Sequence, residues 1–176
     1  MDTHDLLATV RTIPDFPRTG IMFRDVTTLL KQGPAMAYAL DAIAAHYRGM
    51  RVDKVVGVES RGFILGGALA LRLGAGFVPV RKPGKLPAAA IRETYALEYG
   101  TDTVELHTDA IAAGETVLMH DDLLATGGTM LASCALVERL GGRIAGISFI
   151  IELPALGGRA RLAPREVFSL LRFEGE

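Results

Sequence analysis

The 176-residue chain has a single cysteine, Cys134, so an internal disulfide and a multi-cysteine metal site are both excluded. It also lacks a surplus of either charge. Nineteen Lys and Arg against 20 Asp and Glu leave a net charge of −1, which gives no global attraction to nucleic acid or an anionic membrane. No apolar run approaches the roughly 18 residues of a membrane span. The opening MDTHDLLATV lacks the basic start of a secretory signal. His4, His46, His107 and His120 lack metal-ligand spacing. A GxxxxGK[ST] phosphate loop is missing, because Gly84-Lys85 is followed by Leu86. Gly74-Ala75-Gly76 opens a strand pattern rather than a helix, which is wrong for dinucleotide binding. What is left is 49% hydrophobic and 22% charged residues, the composition of a globular protein. At about 150 residues per domain the expectation is one domain, residues 1–176, in a reducing compartment such as the cytoplasm.

The pattern along the chain alternates strand and helix. Residues 5–12 read as a short helix, followed by the turn-rich IPDFPRTG. Residues 34–47 read as an amphipathic helix. Apolar strands are predicted at 52–58, 76–80, 117–119, 144–153 and, at an edge, 167–173. Helices are predicted at 63–73 and 128–140, each stopped by glycine. Short, continuously apolar strands alternating with helices imply a parallel sheet covered on both faces, an α/β fold. Residues 81–106 carry no long apolar stripe and read as a functional loop, flap or hairpin. In such sheets ligands bind beyond the carboxyl ends of the strands, so the residues following each strand are the candidates for chemistry.

The strand at 117 runs into His120-Asp121-Asp122 and then Ala125-Thr126-Gly127-Gly128-Thr129, ahead of a helix. Small residues and glycines let several backbone N–H groups converge, and the helix end adds positive potential, a site for a phosphate dianion. Asp121 and Asp122 are acceptors suited to vicinal hydroxyls, as on ribose. An ordinary helix cap explains one Asp and one Thr, but not two acids plus Thr-Gly-Gly-Thr. Glu59-Ser60-Arg61-Gly62 ends another strand and offers a second anion site or a plain turn. Arg81, Lys82 and Lys85 follow a third and suit a polyanion or a solvated basic loop. Together the three strand ends match a sugar carrying two separate phosphate groups. His120 reads as a packed neighbour of the acids, and Cys134 as a small core residue.

The segment VLMHDDLLATGGT (residues 117–129) resembles the phosphoribosyl-pyrophosphate (PRPP) motif of type I phosphoribosyltransferases. DDLLATGGT is similar to the adenine phosphoribosyltransferases in particular. The likeness extends to Asp15-Phe16-Pro17, Gly20 through Asp25, Glu59 through Phe63, Arg81-Lys82 with Gly84 through Pro87, and Tyr95 through Gly100. His120 departs from the aliphatic residue usual there. The resemblance implies the type I fold, with an N-terminal hood and base pocket at 1–33 and a flexible flap at 82–106. It implies that adenine and PRPP give AMP and pyrophosphate, with Mg2+ bound mainly through PRPP, in a homodimer. Ala125, Thr126, Gly127, Gly128 and Thr129 would then hold the 5′-phosphate, and Asp121 and Asp122 the ribose hydroxyls. Arg81, Lys82 and Lys85, with Ser60 and Arg61, would face the pyrophosphate. Met22, Phe23 and Arg24 would form the base pocket, Phe23 stacking on the purine. Glu98 and Tyr99 would lie in the flap, Glu98 as acid/base; Arg61 and Tyr99 join it as catalytic candidates. The readings left open are transfer to another nucleobase and a PRPP-sensing regulator. Against the regulator stand the presence of Glu98 and a short N-terminus without a basic stripe.

Overall fold

Runs of valine, isoleucine and leucine fit a strand buried on both faces, and in the computed structural model, which describes residues 2–97 and 100–175, they do so. In chain order the elements are α1 (Thr3–Ala8), β1 (Arg11–Ile13), β2 (Phe23–Asp25), α2 (Thr27–Leu30), α3 (Gly33–His46), β3 (Lys54–Val58), α4 (Gly62–Leu73), β4 (Gly76–Val80), β5 (Ala90–Ala96), β6 (Thr101–His107), β7 (Thr116–Leu124), α5 (Gly128–Arg139), β8 (Arg143–Glu152), α6 (Gly158–Leu162) and β9 (Val167–Arg172). Five strands form a parallel sheet in the order β4-β3-β7-β8-β9. Two small antiparallel pairs, β1-β2 and β5-β6, stand outside it.

The inner strands feed two cores. From β3, Val56 and Val58 pack on one side with Met130, Leu136 and Val137 of α5. Val55 packs on the other side with Leu6, Ala39, Ile43, Leu65 and Leu69 of α1, α3 and α4. Strand β7 divides likewise, Val117 and Met119 to the first side and Leu118 to the second. Helices therefore cover both faces, as an α/β fold requires.

From β3 the chain runs outward to β4, then returns to place β7 on the opposite side of β3 and continues to β8 and β9. The direction of winding reverses between β3 and β7. That reversal opens a crevice beyond the carboxyl ends of these two strands.

Two sequence expectations are corrected. The N-terminal helix stops at Ala8, and Arg11–Ile13 pairs with Phe23–Asp25 instead of continuing it. A capping box between Asp2 and Asp5 starts the helix, and the β-branched Thr12-Ile13 ahead of Pro14 favours extended backbone. Strand β7 extends through both aspartates to Leu124, because β8 pairs with it there: Asp121 opposite Phe149 and Leu124 opposite Glu152. The segment after β4 takes one of its expected forms, a hairpin, and one face of it belongs to the core, since Tyr95, Val104 and Leu106 are buried with α5.

Candidate active site

After Leu124 the chain turns through Ala125-Thr126-Gly127 into α5. Gly127 makes the turn at φ 77°, a left-handed conformation that side-chain-bearing residues avoid. Its bare Cα also faces α6: a Cβ there would sit 3.0 Å from the Gly158 carbonyl oxygen. The first N–H groups of α5 have no intrahelical acceptor and border a small cavity of about 90 Å³ that Asp121, Thr126, Gly128 and Thr129 also line. The sequence reading expects a phosphate at these positions, and free N–H groups at a helix start are suited to one. Gly128 has no left-handed backbone and is glycine for space alone: a Cβ would lie 3.2 Å from the Tyr95 ring.

The hairpin is wired to this turn. Tyr95 donates its phenolic proton to Asp102 Oδ2 at 3.0 Å, so the Thr129 hydroxyl, 2.8 Å away, donates to Tyr95. Lys82 pairs with the same Asp102. Burial works against the charge on Lys82, but Asp102 and Tyr95 together outweigh it and hold the ammonium's pKa above its usual value. Lys82 is thus engaged within the hairpin. Tyr95 and Asp102 received no separate role in the sequence reading; a phenol and a carboxylate at cross-strand positions gave no distinguishing signal.

The two aspartates occupy different environments, because successive strand residues face opposite ways. Asp122 is buried, and Arg61 Nε donates to its Oδ2 at 2.5 Å. Asp121 lines the cradle cavity, and its Oδ1 accepts the Asp122 N–H at 2.8 Å. Burial, and then the neighbouring Asp122 carboxylate, push the Asp121 pKa well above the usual range. A Cβ on Gly62 would sit 2.7 Å from Asp121 Oδ1, so glycine there lets the start of α4 lie against the acid. Behind the pair, His120 is fully buried with Nδ1 2.9 Å from Ser148 Oγ, and burial lowers its pKa to about 4. It is a packed, neutral residue, as expected. Cys134 is buried in the core, its thiol pushed up to about 12 by burial.

The carboxyl ends of β3 and β4 meet beside the crevice. Arg81 Nε donates to Glu59 Oε2 at 3.0 Å, and Lys82 N–H donates to the same oxygen at 2.9 Å. The Arg81 hydrogen bond, followed by that of the Lys82 backbone, lowers the Glu59 pKa. Ser60 follows Glu59 through a cis peptide bond. Of the cations predicted to face a polyanion, Arg61, Arg81 and Lys82 each hold a carboxylate here. No hydrogen bond or ion pair engages the Lys85 side chain among the described residues.

Met22 and Arg24 line a second pocket of about 230 Å³ with Ile21, Leu153, Ala155 and Leu156. Phe23 packs edge-on against Phe16, ring centroids 5.1 Å apart, and does not line that pocket. The Arg24 guanidinium lies 4.6 Å over the Phe173 ring, and its Nη1 donates to Thr12 Oγ1 at 2.5 Å. Ala155 and Leu156 lie just beyond the strand predicted at 144–153, a strand end like the others. A third cleft of about 880 Å³ joins the hood residues Pro17, Arg18 and Ile21 to Ala96 and Leu97 of the hairpin, Thr126 of the turn and Arg161 of α6. Glu98 and Tyr99 lie outside the described residues.

A glycine turn into a helix at the winding reversal of a parallel sheet is where α/β proteins of the nucleotide- and phosphate-binding class take their ligands. The sequence matches the Phosphoribosyl transferase domain over residues 26–173, and the chain belongs to that family. Within the family it is similar to adenine phosphoribosyltransferases. That of Acidobacterium capsulatum is 58% identical over 168 residues, covering 96% of this chain and 93% of the relative. The crystal structure of adenine phosphoribosyltransferase from Thermoanaerobacter pseudethanolicus superimposes with a TM-score of 0.95 at 48% identity, covering 97% of this chain and 99% of that one. The Saccharomyces cerevisiae enzyme, complexed with an imino-altritol bisphosphate and adenine, gives 0.92 at 40% identity over 96% and 98% of the two chains.

Proposed function

We propose that this protein transfers the 5-phosphoribosyl group from PRPP to adenine, producing AMP and pyrophosphate in purine salvage. The observation that carries the reading is the cradle at the start of α5, lined by Asp121 and joined through Thr129 to the hairpin. In the reaction the bond from ribose C1 to the pyrophosphate oxygen breaks, and its electron pair leaves with pyrophosphate. A purine nitrogen forms the new bond to C1 and gives up its proton. Positive charge develops on the sugar ring, as in glycoside cleavage.

The cradle from Ala125 to Thr129 holds the 5′-phosphate, and Asp121 and Asp122 orient the ribose hydroxyls. Ser60, Arg61, Arg81, Lys82 and Lys85 face the pyrophosphate and stabilise its growing charge. For this, Arg81 and Lys82 exchange or share their present carboxylate partners. Met22, Phe23 and Arg24 hold adenine, with backbone groups reading its edge. A base of opposite polarity would leave those groups buried and unpaired. Glu98 is the acid/base at the purine, Tyr99 and Arg61 complete the catalytic set, and the flap excludes water while PRPP is reactive. Among the described residues no group of three or more His, Cys, Asp or Glu is placed to hold a metal. Asp121 supplies a hard carboxylate oxygen at the cradle, which suits Mg2+ carried in mainly by PRPP oxygens. When bound, magnesium contributes neutralisation of the leaving group's charge. No helix among the described residues is long and apolar enough to cross a membrane; we place the protein in the cytoplasm as a homodimer.

The test is incubation with PRPP and Mg2+, each nucleobase offered separately, with pyrophosphate release as the readout. Adenine alone should support release. Release with hypoxanthine or guanine instead would move the reading to another base, and release with none would favour a PRPP-sensing regulator.

A further inference from the structure

Helix α6 stands against the phosphate cradle backbone to backbone. A Cβ on Gly158 would collide with the Ala125 carbonyl oxygen at 2.2 Å, and one on Gly127 would meet the Gly158 carbonyl oxygen at 3.0 Å. Glycine at both positions lets two turns touch without side chains between them. The helix is pinned from behind: Arg159 donates to Glu152 Oε1 at 2.9 Å, to Ser169 Oγ at 2.8 Å and to the Val167 carbonyl at 2.6 Å. Glu152 is almost fully buried at the end of β8, so this anchor is tied to the sheet itself.

Two residues further on, Arg161 faces the other way, into the cleft that Thr126, Ala96 and Leu97 also line. A methyl placed on Gly128 would lie 3.4 Å from Arg161 Nη1, so the guanidinium stands over the first residue of α5. The arginines around it are engaged: Arg139 with Glu93, Arg159 with Glu152, Arg165 with Glu138 and Arg172 with Glu152. Arg161 has no ion pair or side-chain hydrogen bond among the described residues. An unpaired guanidinium over a cradle of N–H donors is a planar fork offered to an anion held there.

We infer that Arg161 is a substrate-binding residue that clamps the 5′-phosphate from the side opposite the cradle N–H groups, with Gly158 fixing its approach. The inference rests on the cradle being the 5′-phosphate site. It makes α6 part of the ligand site, and makes Arg161 discriminate phosphorylated from unphosphorylated riboses.

The experiment titrates ribose 5-phosphate, AMP, adenine and magnesium pyrophosphate into wild type, Arg161→Gln, Arg161→Lys and Gly128→Val, each checked for folding by circular dichroism. Should Gly128→Val fail to fold, Thr126→Val replaces it. Loss of one charge-assisted contact should weaken ribose 5-phosphate and AMP about ten- to hundredfold in Arg161→Gln. Adenine and pyrophosphate should bind as in wild type, and Arg161→Lys should recover part of the loss. In turnover, the KM for PRPP should rise with kcat nearly kept. Unchanged ribose 5-phosphate affinity in Arg161→Gln, with loss in the cradle variant, overturns the role of Arg161 and leaves the cradle standing. Retention in both overturns the cradle assignment. Loss of pyrophosphate alone, or of all four ligands equally, also overturns the proposal, the first by moving Arg161 to the other phosphate and the second by making its role structural.

Discussion

Asp121 and Asp122 are one residue apart, yet the fold sets them opposite tasks. Asp121 is a carboxylate whose charge is disfavoured by burial and by its neighbour, whereas Asp122 has Arg61 at 2.5 Å. Neutralising Asp121 removes an unfavourable charge, so Asp121→Asn should raise stability by about 1 kcal/mol while turnover falls by orders of magnitude. Asp122→Asn should instead lower stability by about 1 kcal/mol, a figure kept small because the Arg61 side chain is half exposed. Urea midpoints and pyrophosphate release for both variants test this. Two shifts of the same sign would mean that the pair acts as one unit. The double variant, if it turned over normally, would make both acids structural.

At the scale of the element, the turn into α5 depends on two glycines for different reasons. Gly127→Ala forces a side chain into φ 77° and against Gly158, so the turn itself should deform and PRPP affinity should collapse. Gly128→Val keeps an ordinary helical backbone but pushes on Tyr95, so the loss should extend to the Tyr95–Thr129 contact and the hairpin. PRPP titrations and tyrosine fluorescence separate the two. The β1-β2 hood element carries its own pH signature. Asp25 is held at about 2, first by the Thr27 hydroxyl and then by Arg11. A carboxylate pKa below its unfolded value stabilises the fold above about pH 4 and loses that contribution as pH falls toward 2. With Arg11 largely exposed, the contribution is about 1–2 kcal/mol. The slope of stability against pH between 4 and 2 should flatten in Asp25→Asn; an unchanged slope would remove Asp25 from the acid transition.

For the whole molecule, the proposed mechanism has the hairpin close over the crevice while its inner face stays in the core. Tyr95, Val104 and Leu106 are buried with α5, so only the outer end is free to respond. Hydrogen exchange should slow at Ala96, Leu97, Gly100 and Thr101 on adding PRPP, with residues 104–106 protected throughout. Uniform exchange along the hairpin would contradict this division. Glu98→Gln keeps shape and removes the titrating group. It should leave PRPP affinity nearly unchanged and cut turnover by roughly 10²–10⁴-fold. Equal turnover would take Glu98 out of the mechanism.

What the sequence determined by itself was the α/β class, the order of the five sheet strands with α3, α4 and α5 among them, and the glycine turn into α5, because these rest on local signals: apolar continuity, glycine at φ > 0 and small residues before a helix. Strand 76–80 and helix 128–140 are close to β4 and α5. Tertiary structure decided what depends on pairing at a distance. Only β8 could draw β7 through two acids, and only α5 could bury one face of the hairpin. Only the placement of Asp122, Glu59 and Asp102 could tie down the cations Arg61, Arg81 and Lys82, which the sequence presents as free. The Gly127–Gly158 approach brings Arg161 to the cradle across 33 residues of chain from Gly128. A lone arginine in a short helix carries no periodicity or motif, so its position over the phosphate turn exists only in three dimensions.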